Sequence, residues 1–179
     1  KTFIYTSPLN YKIIPELIYD TKSTVVFGTD TFLSGYATHG DPEDFQFTRY
    51  VIAGAEKLKT STRENWIKKF GVRIFEGYGV TETSPALSIN NYSYCKFGTV
   101  GRMFPGIQSK LEPVPGITQG GQLWVKGNNI MLGYLRAENP GVLEQAMDGW
   151  YDTGDIVDID NEGFISILGR ATRLAKIGG

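Results

Sequence analysis

The sequence holds one cysteine, Cys95, and one histidine, His39. A single thiol excludes an internal disulfide framework, and one thiol with one imidazole cannot complete a structural zinc site. Cys95 lies beside Lys96 and far in sequence from His39, so a small packed residue is a stronger reading than a catalytic thiol. His39 falls in the turn-like run THGDPED and reads as a surface residue. An excess of charge is also missing. Lys plus Arg is 18 against 19 for Asp plus Glu, so no general field draws the chain to nucleic acid or to an anionic membrane, and a charged partner must be recognised locally. No apolar run approaches the roughly 20 residues that span a bilayer, and no signal-peptide pattern opens the chain. A reducing, cytoplasmic setting fits the lone thiol. Internal repeats and low-complexity tracts are absent too. The chain starts at Lys1 and stops at LAKIGG, and reads as an excised part of something longer.

What is present is a core-forming composition. The 179 residues are 41% hydrophobic and 13% aromatic, enough apolar side chain for one domain or two small subdomains. The first half alternates extended apolar runs with helical stretches, the pattern of a βαβ arrangement with a parallel sheet. TFIYTS, STVVFG, RYVIAGA and VRIFEGYG read as strands. IIPELIYD, TDTFLSGYATHG and STRENWIKKFG read as helices, the second capped by Thr29 or Asp30, the third by Ser61 with Glu64 completing a capping box and Gly71 ending it. After about Asn91, glycine and proline punctuate short runs, as in a small antiparallel sheet or distorted barrel. DIDNEGF is a hairpin signal in which Asn161 and Gly163 tolerate left-handed backbone. ENPGVLEQAM reads as a helix with Pro140 in its first turn. The expected class is α/β, divided into 1–94 as an α/β subdomain, 95–168 as a β-rich subdomain, and 169–179 as the start of a hinge.

The run FEGYGVTETSP, Phe75 to Pro85, carries the most chemistry. A strand delivers Gly77-Tyr78-Gly79 to the carboxyl edge of the sheet, where ligands bind in open parallel sheets. Glycines there allow close backbone approach, and Tyr78 offers a flat ring. Thr81 supplies a hydroxyl suited to a phosphate oxygen, and Glu82 a hard carboxylate suited to magnesium. In GWYDTGDIVDI, Asp155 follows a Thr-Gly turn and can accept two hydrogen bonds from a diol, although Asp152 and Asp155 also suit a purely turn-shaping role. Gly54 and Ala55, in AGAEKL, leave room for a planar ring. Arg170, Arg173 and Lys176 can meet phosphates or form a solvated basic turn.

Taken in order and spacing, GYGVTE, GQLWVKGNNIMLGYL, GWYDTGD and GR followed by AKIGG resemble the motifs of the adenylate-forming superfamily of acyl-CoA synthetases, luciferases and peptide adenylation domains. The resemblance covers nearly the whole chain. YTSPLNYKIIPELIYD, RYVIAGAEKL, GTVGRMFPGI, KGNNIMLGYLRAENPGVLE and GRATRLAKI are further similar to the synthetase portion of bacterial bifunctional acyl-[acyl carrier protein] synthetase/2-acylglycerophosphoethanolamine acyltransferases.

The resemblance implies a partial adenylate-forming fold and an acid-thiol ligase using ATP and magnesium. A fatty acid would become acyl-AMP, pass to the thiol of acyl carrier protein, and go on to a lysophospholipid through a separate acyltransferase domain. By motif position, Tyr78 stacks on adenine, with Gly54, Ala55, Glu56, Glu76 and Gly77 in the adenine pocket and Ile167 packing nearby. Thr81 and Glu82 are the catalytic pair, Thr81 on the α-phosphate and Glu82 on magnesium. Asp155 binds the ribose, Arg170 assists at ribose or phosphate, and Gly79 borders the nucleotide. Phe27, Gly28, Thr31, Phe32 and Val80 are acyl-tunnel candidates, with core packing the alternative for the aromatics. Thr172 occupies the usual hinge position, and the isolated chain is expected not to adenylate at a normal rate. The implied location of the full-length bacterial protein is cytoplasmic and peripheral to the inner membrane. Alternatives are a long-chain fatty acyl-CoA synthetase and a non-catalytic nucleotide-binding module.

Overall fold

The structure is a computed structural model that describes residues 1–145 and 147–171. The hinge position Thr172, with Arg173 and Lys176, lies outside the described residues. Contacts divide the chain into two compact units, Lys1–Gly77 and Tyr78–Gly179.

In the first unit the elements run α1 (Ile13–Asp20), β1 (Val25–Gly28), α2 (Asp30–His39), a 3-10 turn at Pro42–Phe45, β2 (Tyr50–Ala53), α3 (Thr60–Phe70) and the start of β3 (Ile74–Gly79). The strands β1, β2 and β3 are parallel, with Val26 opposite Val51 and Val51 opposite Ile74. This is the expected βαβ pattern, in which helices cover the sheet and bury β-branched strand residues. Leu33 from α2, Trp66 from α3, Val51 from β2 and Phe45 from the 3-10 turn are essentially solvent-free. Trp66 packs edge-on against Phe45 and Phe70, at ring separations of 4.7 and 4.9 Å, and its Nε1–H donates to the Leu33 carbonyl at 2.8 Å. A buried indole therefore keeps its polar atom satisfied.

Local signals account for several boundaries. Thr29 caps α2, its hydroxyl accepting from the Phe32 N–H. Gly71 ends α3 in the left-handed conformation at φ 69°. His39 is exposed and lies 6.3 Å from the Tyr11 ring. In this unit TFIYTS and Ser61 depart from expectation. TFIYTS pairs with no strand among the described residues; β1 ends the sheet, yet Phe3 and Tyr5 meet it through side chains lining a cavity with Val25 and Phe27 rather than through a backbone ladder. Ser61 does not cap α3, which starts at Thr60 with Lys59 as its N-cap; the amide of Lys59 goes instead to the carboxylate of Asp30.

The second unit continues with β4 (Ala86–Ile89), β5 (Arg102–Met103), β6 (Gln108–Glu112), β7 (Gly121–Lys126), β8 (Gly133–Leu135), β9 (Leu143–Gln145), β10 (Tyr151–Ile159) and β11 (Ile165–Arg170). Strands β11, β10, β7 and β6 form an antiparallel sheet in that order. Alternate residues of β7, Leu123 and Val125, join Leu87, Val157 and Ile165 in a second core, as a period of two requires. The DIDNEGF hairpin forms between β10 and β11, with the Asp160 carboxylate accepting from the amides of Glu162 and Phe164 at 2.9 Å. Gly163 takes the left-handed conformation at φ 83° and Asn161 does not. ENPGVLEQAM is not a helix: Gly141 sits at φ 80°, and Leu143–Gln145 pairs antiparallel with Gly133–Leu135. A left-handed glycine interrupts the helical path and strand pairing takes over.

Candidate active site

The opening of the second unit bends sharply. Gly79 is required there, because a Cβ at that position would lie 1.7 Å from the Pro85 carbonyl oxygen. The chain then forms a 3-10 turn at Thr81–Thr83 and leaves it through Ser84 in the left-handed conformation. Thr83 is fully buried and ties the turn together: its hydroxyl accepts from the Val80 amide at 3.2 Å and lies 2.6 Å from the Pro85 carbonyl. Thr81, by contrast, is exposed.

β8 and the segment leading into it hold this turn from one side. Asn129 Nδ2 donates to the Thr83 carbonyl at 2.7 Å, the Met131 amide donates to the Glu82 carbonyl at 2.8 Å, and Tyr134 donates its hydroxyl to Glu82 Oε1 at 2.8 Å. Tyr151 lies 3.4 Å from the Tyr134 hydroxyl. The bond from Tyr134 holds the Glu82 carboxyl below the usual carboxylate range, while burial pushes the Tyr151 phenol up. Glu82 is therefore an anion fixed in direction.

A second constellation is centred on Asp155, 6% exposed. The register of β10 against β7 shifts between Asp152 and Ile156, and Gly154 sits at φ 69°, so Asp155 occupies an irregularity inside the strand. Such bulges re-aim a side chain. The Tyr78 hydroxyl donates to Asp155 Oδ2 at 2.7 Å, and Arg170 Nε donates to Oδ1 at 2.8 Å. Arg170 also reaches the Thr153 carbonyl at 3.2 Å. Burial is the first cause that pushes the Tyr78 phenol upward, so it stays a donor. Each carboxylate oxygen has two acceptor sites, which leaves Asp155 able to take a further pair of donors. Asp152 has the turn-shaping role instead, accepting from the Gly154 amide at 2.8 Å and from Gln122 at 2.6 Å.

The structure thus brings Tyr78, Asp155 and Arg170 together, and separately seats Glu82 with Tyr134. Ile167, on β11, is 41% exposed. In the first unit, Gly54 follows β2, Ala55 takes a left-handed φ of 64°, and Glu56 accepts two hydrogen bonds from Thr31. Glu76 and Gly77 lie on β3. Of the acyl candidates, Phe27 is 73% exposed and lines a cavity of about 250 Å³ with Phe3, Tyr5, Ile14, Leu17 and Val25. Phe32 packs on the first core, Gly28 faces Leu33, and the Val80 amide is bonded to Thr83. Tyr134, Tyr151 and Asn129 were not singled out in sequence. Tyr134 sits inside GNNIMLGYL, but nothing local signals a bond to a carboxylate 52 residues away.

No cluster of three or more His, Cys, Asp or Glu suited to a metal is found among the described residues. One oriented carboxylate, Glu82, fits magnesium, which commonly binds through one or two carboxylates together with substrate phosphates.

Comparison with known proteins places these features. Solved structures share the fold: an anthranilate CoA ligase in complex with anthranoyl-AMP (TM-score 0.77, 20% identity, 95% of this chain and 34% of that one), and the O-succinylbenzoate coenzyme A synthetase of Bacillus subtilis in complex with ATP and magnesium (TM-score 0.75, 25% identity, 92% and 35%). The architecture is a partial adenylate-forming fold, with a parallel sheet and a separate small antiparallel β subdomain. The family model for AMP-binding enzymes matches residues 2–135, and the chain belongs to that family. A curated relative, the long-chain-fatty-acid–CoA ligase of Escherichia coli O6:H1, is 30% identical over 183 residues, covering 95% of this chain and 32% of the relative. The chain spans about a third of that relative's length.

Proposed function

We propose that the chain is the part of an acid-thiol ligase that binds ATP and activates a fatty acid. The observation that carries this reading is Asp155, nearly buried, aimed by a strand irregularity and bonded to both Tyr78 and Arg170. A ring, a carboxylate and a guanidinium so arranged suit adenine, a ribose diol and a phosphate respectively. Thr81 then donates to the α-phosphate, and Ile167 covers the base. Gly54, Ala55, Glu76 and Gly77 supply the remaining adenine contacts by their motif positions.

In the reaction the acid's carboxylate oxygen attacks the α-phosphorus, the bond to the β-phosphate oxygen breaks, and acyl-AMP and pyrophosphate form. Two anions must approach, so donors at Thr81 and Arg170 lower the barrier by stabilising charge on the phosphoryl oxygens. Magnesium, when bound through Glu82, neutralises phosphate charge. Tyr134 keeps the Glu82 carboxylate ionised and pointed. A thiol then attacks the acyl carbon and releases AMP.

The fatty-acid–CoA ligase relatives support a long aliphatic acid and coenzyme A as acceptor. Acyl carrier protein as acceptor, onward transfer to a lysophospholipid, and peripheral attachment to a bacterial inner membrane are supported by the sequence resemblance of segments such as RYVIAGAEKL and GRATRLAKI. Thioester formation by the full-length protein, measured with each acceptor, decides between them. The carrier-protein reading expects at least about tenfold higher kcat/KM with acyl carrier protein, a difference of about 1.4 kcal/mol. Equal or better use of coenzyme A contradicts it.

A further inference from the structure

The β2–α3 loop and the start of α2 cap one another. Asp30 is the first residue of α2 and is 2% exposed. Its Oδ1 accepts the Lys59 amide at 2.9 Å, its Oδ2 meets Lys59 Nζ at 3.1 Å, and the Thr62 hydroxyl also bonds to it. Those groups belong to the entry of α3. In return, Glu56 Oε2 accepts both the Thr31 amide at 3.0 Å and the Thr31 hydroxyl at 2.8 Å, groups of the first turn of α2. The N–H groups at the start of a helix have no partner inside it, and its positive end favours negative charge. Here each helix receives its carboxylate from the other segment.

The piece of chain that this exchange pins is Gly54-Ala55. The Gly54 amide donates to the Gly28 carbonyl at 3.1 Å, and Ala55 holds φ 64°, which a residue with a Cβ keeps only where its surroundings impose it. Glu56 follows directly, so its two bonds to Thr31 are the restraint on the far side of Ala55.

We propose that Glu56 is a positioning residue. Through the two bonds that Oε2 accepts from Thr31, its carboxylate holds Gly54-Ala55 in the conformation that meets the nucleotide, and it does not touch the nucleotide itself. The inference rests on the nucleotide-binding reading of the Gly54-Ala55 loop.

The test uses the full-length protein with Thr31→Ala, Glu56→Ala, Glu56→Gln and the Thr31→Ala/Glu56→Ala pair. ATP-dependent pyrophosphate exchange gives KM and kcat, and amide hydrogen exchange without nucleotide reports on Thr31 and Gly54. Glu56→Ala is expected to raise the KM for ATP about tenfold with kcat within about twofold, and Thr31→Ala, which keeps its amide, about threefold. The double variant is no worse than Glu56→Ala, because both changes strike one interaction. Glu56→Gln recovers most of the loss, since its amide oxygen accepts the same bonds. Exchange at the Thr31 and Gly54 amides quickens about tenfold in Glu56→Ala. The proposal is overturned if Thr31→Ala leaves KM unchanged while Glu56→Ala raises it, which marks direct contact with nucleotide, or if amide exchange does not change. Should the wild-type protein catalyse no pyrophosphate exchange, the functional reading falls, and amide exchange alone decides the role of Glu56.

Discussion

Asp155 and Asp152 stand three positions apart on β10 and do different work. Asp152 accepts from the Gly154 amide, within the strand's own irregularity, and from Gln122 on the neighbouring β7. Asp155 faces a phenol and a guanidinium, partners that can share it with a ligand. Asp155→Asn is therefore expected to weaken AMP binding by about 10- to 100-fold, because charge-assisted bonds are roughly twice as strong as neutral ones. Asp152→Asn is expected to lower stability by about 1 kcal/mol and leave AMP affinity within about twofold. Calorimetric titration with AMP and urea unfolding of both variants check the split; equal affinity losses contradict it. The candidate site residues stand out in the sequence because they sit in short ordered strings, Tyr78 to Glu82 and Asp152 to Asp155. Tyr134 does not, because its importance comes from a hydroxyl reaching Glu82 across the fold. Tyr134→Phe is expected to raise the magnesium concentration for half-maximal pyrophosphate exchange about 3- to 10-fold, by freeing the carboxylate to rotate. Unchanged metal dependence contradicts that role.

At the scale of elements, legibility tracked how local the determinants are. Thr29 and Gly71 mark helix ends by bonds and backbone angles within a few residues, and both are where the sequence puts them. Ser61 misleads because α3 takes its cap from Asp30, 29 residues earlier. ENPGVLEQAM misleads because pairing with Gly133–Leu135 outweighs a weak helical preference already broken by Gly141. TFIYTS has strand-forming residues, but it meets the edge strand β1 through Phe3 and Tyr5, which line the cavity beside Phe27, and not through strand pairing. Gly79 carries a different kind of local demand. Gly79→Ala places a methyl against the Pro85 carbonyl, which must move, and is expected to destabilise the protein by more than about 2 kcal/mol. A urea midpoint within error of wild type would contradict the close approach.

At the scale of the molecule, charge balance hides an acid sensitivity. Asp30, Glu56, Glu82 and Asp160 all have folded-state pKa values below their ordinary ones: burial opposes this at Asp30 but its bonds with Lys59 and Thr62 win, Thr31 acts on Glu56, Tyr134 on Glu82, and Lys96 on Asp160. The unfolded chain binds protons first as pH falls, at about 4.3 for Glu and about 3.9 for Asp. Stability from these groups is complete above that range and is lost as pH falls through the lowered folded values. The melting temperature is expected to be level above about pH 5.5 and to drop steadily below about pH 4.5; a flat profile down to pH 3 contradicts the assigned bonds.

The βαβ order and the β-rich second part were readable from element alternation, the adenylate-forming fold from the resemblance that the ordered motifs carry, and the structural matches agree. The chain nevertheless spans about a third of its curated relatives, so its activity is a property to be measured on the full-length protein. The most direct measurement compares wild type with Glu82→Ala for two quantities: AMP affinity, and ATP–pyrophosphate exchange dependent on a long-chain fatty acid. The account predicts acid-dependent exchange in the wild type that falls at least about 100-fold in the variant, with AMP affinity held within about threefold. Exchange that is absent from the wild type, or untouched by the loss of Glu82, would contradict it.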